Sequence, residues 1–140
     1  MLDFPIHKYG RVQKEWGDEY ILCNNRQYCA KILALLPDST SSYHYHNKKH
    51  ETFILWEGSC WMEIEGVKKR LKQGMKVVLK PKTKHRFYNA QDFKKCYILE
   101  ISTTHSDEDV VRIRKSKGTS KIFVDNSSPY QPASVRMLGV

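Results

Sequence analysis

With 140 residues and 24 Lys and Arg against 15 Asp and Glu, the chain carries a formal net charge of +9 and has room for one domain with a core of its own. It contains no run of about 18 apolar residues, so no membrane span is expected. Met1-Leu2-Asp3-Phe4-Pro5 lacks the basic and apolar blocks of a signal peptide, and a cytoplasmic location is expected. The charge comes mostly from lysines dispersed along the chain, with no arginine-rich arm and no basic helix face, which argues against nucleic-acid binding and is compatible with a small anionic substrate.

The N-terminal segment, residues 1–18, has little periodicity, although Phe4, Ile6 and Tyr9 could pack an edge. Residues 19–23 and 28–36 are rich in apolar and β-favouring side chains and are separated by Asn24-Asn25-Arg26, which predicts a hairpin. A polar loop over 37–42 leads to Tyr43-His44-Tyr45-His46. Apolar runs then follow at 52–56, 60–65, 67–71, 75–79, 85–89 and 95–102, broken by Gly58, Gly66, Gly74 and Pro81. Short strands at this spacing predict an all-β sandwich or barrel over residues 19–114. One helix is predicted over 106–114, with Ser106 as its cap and Asp107, Glu108 and Asp109 in its first turn. The polar remainder, 115–140, reads as a tail with Ile122-Phe123-Val124 as a last edge strand or a dimer contact. Cys23, Cys29, Cys60 and Cys96 form no C-x-x-C pair and read as free thiols.

The chemistry concentrates between Ser42 and Gly58. On a strand, residues two apart project from one face, so His44 and His46 can aim two imidazoles at one point. Glu51 opens the next apolar run and can return a carboxylate there after a turn through Asn47, Lys48 and Lys49. A further ligand has to arrive on a returning strand, and His85, at the head of the run 85–89, is the candidate. Imidazoles and a carboxylate with positions open to water suit a divalent metal such as zinc, manganese, iron or nickel.

These residues fall in a pattern that resembles the cupins. The first cupin motif, G-x5-H-x-H-x4-E-x6-G, is matched by His44, His46, Glu51 and Gly58, with Asp38 in the place of the first glycine. The second, G-x5-P-x-G-x2-H-x3-N, is matched by Gly74, His85 and Asn89, with Lys80 and Lys82 replacing the proline and the middle glycine. The resemblance implies a double-stranded β-helix, or jelly-roll barrel, with a metal held by His44, His46, Glu51 and His85. A narrower resemblance is to the cupin domain of type II mannose-6-phosphate isomerases. It rests on Glu15-Trp16-Gly17-Asp18-Glu19-Tyr20, on Pro81-Lys82-Thr83-Lys84-His85-Arg86, and on Glu100 followed by Asp107-Glu108-Asp109-Val110-Val111-Arg112. The chain departs from that group in having His44 where glutamine is frequent, a tighter spacing from Glu100 to Arg112, and no arginine directly after Gly118, where Thr119 stands.

That narrower resemblance implies an aldose-ketose interconversion of a sugar or sugar phosphate. A proton then moves between adjacent carbons, a cation steadies the developing oxyanion, and a base reaches the carbon-bound proton. Because Glu51 would be tied to the metal, the acid-base candidates are Glu100, His50 and Lys31, with Arg86 as an anion or oxyanion contact. Two rival classes share the ligand set: a metal-dependent oxygenase of a small molecule and a non-catalytic sugar-binding cupin. The resemblance also implies a homodimer formed by exchanged edge strands.

Overall fold

The computed structural model describes residues 4–118, together with the backbone of two short strands at 122–124 and 135–137. The alternation read from the sequence becomes β-structure throughout: β1 (Gly10–Lys14), β2 (Gly17–Asn24), β3 (Cys29–Leu35), β4 (Ser39–Thr40), β5 (Tyr43–His46), β6 (Glu51–Glu57), β7 (Cys60–Ile64), β8 (Val67–Leu71), β9 (Lys76–Leu79), β10 (His85–Asn89), β11 (Cys96–Ser102) and β12 (Val110–Arg114). The last hairpin pairs β13 (Ile122–Val124) with β14 (Val135–Met137). One antiparallel sheet runs β1-β2-β3-β11-β6-β9, the other β12-β5-β10-β7-β8 with β4 beside β10. No helix among the described residues is long and apolar enough to cross a membrane.

The segment over 10–14, which has little periodicity, is nonetheless a strand, in register with β2 from Gly10 opposite Ile21 to Lys14 opposite Gly17. Phe4 and Ile6 pack against the cluster of Tyr20, Ile32, Ala34 and Tyr97 on the outside of the first sheet.

The helix predicted over 106–114 does not form. Asp107–Asp109 makes a single 3-10 turn, and Val110–Arg114 is a strand paired with β5. Val110, Val111 and Ile113 are β-branched, and an open sheet edge beside β5 offers them more than a helix would. The acidic turn serves the neighbouring loop instead: the Asp109 carboxylate accepts the backbone N–H groups of Lys48, at 3.0 Å, and Lys49, at 3.1 Å.

Side chains of alternate residues meet between the sheets. Leu33, Leu35, Phe53, Leu55, Cys60, Met62, Leu71, Leu79, Phe87 and Ile98 form the apolar core. At one end of the same inner faces the rows turn polar. Glu100 stands between Lys31 on β3 and Phe53 on β6, and Ser102 between Cys29 and Glu51. Polar groups are tolerated there only where they pair with one another or hold a ligand.

Two residues at motif-glycine positions keep glycine-like backbone: Asp38 has φ of 54° and Lys82 of 68°. The loop before His85 therefore holds its left-handed turn without glycine, and Lys82 N–H donates to the His46 carbonyl at 2.6 Å. Gly17 is irreplaceable for a steric reason. Its φ is 149°, and a Cβ built there would overlap the Ala34 carbonyl oxygen in the adjacent strand. Gly17→Ala is expected to cost about 2–4 kcal/mol, because the clash is with backbone that cannot swing aside. A denaturation midpoint within experimental error of the parent would count against this reading.

Candidate metal centre

His44 and His46 lie two apart on β5, and His44 sits directly opposite His85 of β10 in the antiparallel register. The three rings converge: His44 is 4.5 Å from His85 and 5.1 Å from His46, centroid to centroid. One ring nitrogen of each lies within 4.8 Å of the others. Glu51 opens β6 in the facing sheet and reaches across, with Oε1 3.5 Å from His46 Nε2 and Oε2 3.3 Å from His85 Nε2. Donors bound about 2.0–2.2 Å from one ion stand roughly 3–3.5 Å apart at neighbouring positions, so these gaps match a coordination sphere.

The hydrogen bonds around the rings fix their tautomers. His85 Nδ1 donates to the Thr83 carbonyl at 2.9 Å, and His44 Nδ1 to the Ser42 carbonyl at 2.9 Å. A carbonyl only accepts, so the proton is on Nδ1 and the Nε2 lone pair of each ring is left for a metal. His85 Nε2 and His46 Nδ1 are buried and have no hydrogen-bond partner. Buried polar nitrogens left bare are costly unless something not made of protein satisfies them, and the donor set fits a divalent ion.

Electrostatics prepare the same groups. Burial, reinforced by the neighbouring His85, lowers His44 from 6.5 to about 4. Burial with Lys49 close by lowers His46 to about 2, and burial also lowers His85. All three are neutral near pH 7, as ligands must be. Burial, and next the negative charge of Glu100, raise Glu51 to about 8. Metal uptake at pH 7 is therefore expected to expel about one proton from Glu51, read as a buffer-dependent heat in titration calorimetry. The same heat in buffers of different ionisation enthalpy would refute it.

The histidine shifts also set a stability profile. In the unfolded chain the imidazoles take up protons near their ordinary value of 6.5, while in the folded chain His44 and His46 do so only near 4 and 2. Below 6.5 the unfolded state binds more protons, so the metal-free protein loses stability as the pH falls toward 4, by up to about 1.4 kcal/mol per unit for each histidine. Glu51, raised from 4.5 to about 8, acts in the opposite sense but is a single group. A urea midpoint as high at pH 5 as at pH 7.5 would contradict this.

A second polar layer adjoins the ligands. Lys49, only 3% exposed, places Nζ 2.5 Å from Glu100 Oε2 and 3.4 Å from Glu51 Oε1. Its Nζ also donates to His105 Nδ1 at 3.0 Å, and His105 Nε2 donates to Asp107 Oδ1 at 2.9 Å. Burial by itself would raise Glu100, but Lys49 and then Lys31 outweigh it and hold the carboxyl below its usual value. Burial would likewise lower Lys49, and Glu100 and Glu51 reverse that, so the pair is ionised. Lys31 is buried and bonds Glu19 Oε1 at 3.3 Å. The ligands and these groups line one cavity of about 450 Å³, walled also by Trp16, Phe53 and Phe87.

Of the acid-base and anion candidates, Glu100 and Lys31 line this cavity, whereas His50 and Arg86 do not. His50 is exposed, with its backbone tied to Thr103. Arg86 follows the inward-facing His85 and must face the other way; its guanidinium bonds Glu63 at 2.8 Å and stands 5.8 Å from the Tyr43 ring. Lys49 and His105, not singled out in the sequence, belong to the site. Lys49 sits in a turn, where no periodicity tells inside from outside, and is turned inward by the Asp109 carboxylate that holds its backbone.

Two facing antiparallel sheets make a jelly-roll barrel, and the three histidines clustered at one end of it, with Glu51 beside them, could hold a metal ion. A family model, the cupin domain, matches residues 31–102, just over half of the chain, and the chain belongs to the cupins. Comparison with curated proteins gives no match. Solved structures with the same fold include KdgF from a Halomonas species, at 16% identity and a TM-score of 0.65 over 73% of this chain and 92% of that one. A sugar phosphate isomerase of the cupin superfamily from Silicibacter pomeroyi is 19% identical, with a TM-score of 0.57 over 70% of this chain and 76% of that one. Oxalate decarboxylase from Bacillus subtilis is 13% identical, with a TM-score of 0.67 over 79% of this chain and 31% of that one. At these identities the likeness concerns the fold.

Proposed function

We propose that the chain is a metal-dependent isomerase that interconverts the aldose and ketose forms of a sugar or sugar phosphate. The observation that carries this reading is the adjacency of two layers: a neutral His44/His46/His85 cluster with Glu51, and beside it the ionised Glu100–Lys49 pair, both facing one cavity. The sugar phosphate isomerase among the structures with this fold is in keeping with it.

His44, His46, His85 and Glu51 would hold the metal, which supplies Lewis-acid stabilisation of the substrate's carbonyl and hydroxyl oxygens. Glu100 accepts the proton from C2 and returns it to C1 while the O2 hydroxyl proton passes to O1, so the aldose becomes the ketose with no net gain or loss of protons. Lys49 keeps Glu100 ionised while the proton is absent, and Lys31 flanks the same carboxylate. Phe53, Phe87 and Trp16 exclude water from the transfer. As in the cupins it resembles, a homodimer is the assembly this reading adopts.

The test is turnover of mannose 6-phosphate, mannose and related sugars by protein loaded with zinc, manganese, iron or nickel, with and without chelator. Isomerisation that stops with chelator and in Glu100→Gln is expected. Dioxygen consumption with iron, or saturable binding without conversion under every metal, would replace this reading by an oxygenase or a binder.

A further inference from the structure

The charges that line the cavity divide unevenly between paired and unpaired groups. Every carboxylate there has a partner: Glu19 with Lys31, Glu51 and Glu100 with Lys49, Glu15 with the Ser116 hydroxyl at 3.4 Å, and Asp107 with His105. Three cations that line the same cavity, Lys14, Arg112 and Lys115, have no ion pair or hydrogen bond from their side chains among the described residues. Arg112 is the best placed of them, since its Cα pairs with that of His44 across β12 and β5, one strand from the ligand cluster. The next arginine on that strand is already engaged, its guanidinium 4.8 Å from the centre of the Tyr43 ring. A register irregularity between Arg112 and Arg114 separates the two fates.

We infer that the cavity's mouth holds an oxyanion of the substrate, phosphate or carboxylate, on the Arg112 guanidinium, with Lys14 and Lys115 supplying further positive charge. A planar guanidinium presents paired N–H donors that match two oxygens of such a group. The rest of the ligand reaches inward to the imidazoles, and a cavity of about 450 Å³ is the size of a small-ligand pocket. For the inward end the inference rests on the sugar reading above. The oxyanion site itself depends only on Arg112 and its surroundings.

Calorimetric titration of the full chain, metal-free and metal-loaded, tests it with mannose 6-phosphate, mannose, glucuronate and inorganic phosphate as probes. Mannose 6-phosphate is expected to bind about tenfold or more tighter than mannose. Arg112→Gln should shrink that preference to about threefold or less, and Arg114→Gln should leave it intact. Retention of the preference without metal assigns the oxyanion to the protein, and a gain with glucuronate in place of mannose 6-phosphate assigns it to a carboxylate. Equal affinity for the charged and neutral sugars, a preference that Arg112→Gln leaves unchanged, equal losses in the two arginine variants, or no measurable binding of any charged probe overturns the inference. An Arg112-dependent preference without turnover removes the isomerase assignment and leaves the oxyanion site standing. Turnover indifferent to Arg112 does the reverse.

Discussion

Lys49→Met is expected to lower the unfolding free energy of the metal-free protein by about 3–5 kcal/mol, because it leaves the buried Glu100 carboxylate without its closest cation. Glu100 is 4% exposed and Glu51 4%, and the only ammonium within 4 Å of either, among the described residues, is that of Lys49. The side-chain volume is nearly conserved, so the loss reports charge rather than a cavity. Removing both partners should hurt less than removing one: Lys49→Met with Glu100→Leu is expected to recover a large part of the loss. The deficit should also shrink at acid pH, where the orphaned Glu100 can take up a proton. Equilibrium urea unfolding of the parent, the single variant and the double variant decides it. A single-variant loss below about 1 kcal/mol would mean that water reaches the pair and that the buried cluster is not as dry as its geometry implies.

The second large effect is on metal affinity. His85→Ala is expected to weaken binding of a divalent ion by about a hundredfold or more. It removes a ring whose bare Nε2 faces Glu51 and whose Nδ1 is already anchored to Thr83. His46→Ala should behave alike. His50→Ala is the control: His50 is exposed and outside the cavity, so its loss should leave affinity within about twofold. Competition against a chromophoric chelator measures all three, with circular dichroism to verify that each variant is folded. Equal weakening in His50→Ala and His85→Ala would point to a general loosening rather than to a lost ligand.

The strands and the convergence of the histidines were legible because both are written in period two. His44 and His46 share a face by simple alternation, and the two motif spacings bring His85 opposite His44, where the register has it. The same alternation excludes Arg86, which adjoins His85 on one strand and so faces the Glu63 side. Other features were not legible, for physical reasons. The acidic turn over 107–109 has the composition of a helix start, yet the β-branched residues after it pair with β5, a tertiary gain that local propensity does not record. Lys49 reads in the sequence as one more solvated turn lysine. Its inward course depends on Asp109, 60 residues further on, holding the loop backbone. Arg112 reaches the cavity through the return of β12 along β5, and His105 from the segment after β11, where its backbone is bonded to Asn24; no short motif announces either.

Site and chemistry alike depend on three imidazoles and one carboxylate from facing sheets binding a single ion. X-ray absorption at the K-edge of the zinc- or nickel-loaded protein tests that ligand set most directly. Multiple scattering from about three imidazoles, with an oxygen shell at about 2.0–2.2 Å and no sulfur, is the result this structure requires. A shell containing cysteine sulfur, or a spectrum with fewer than two imidazoles, would contradict it.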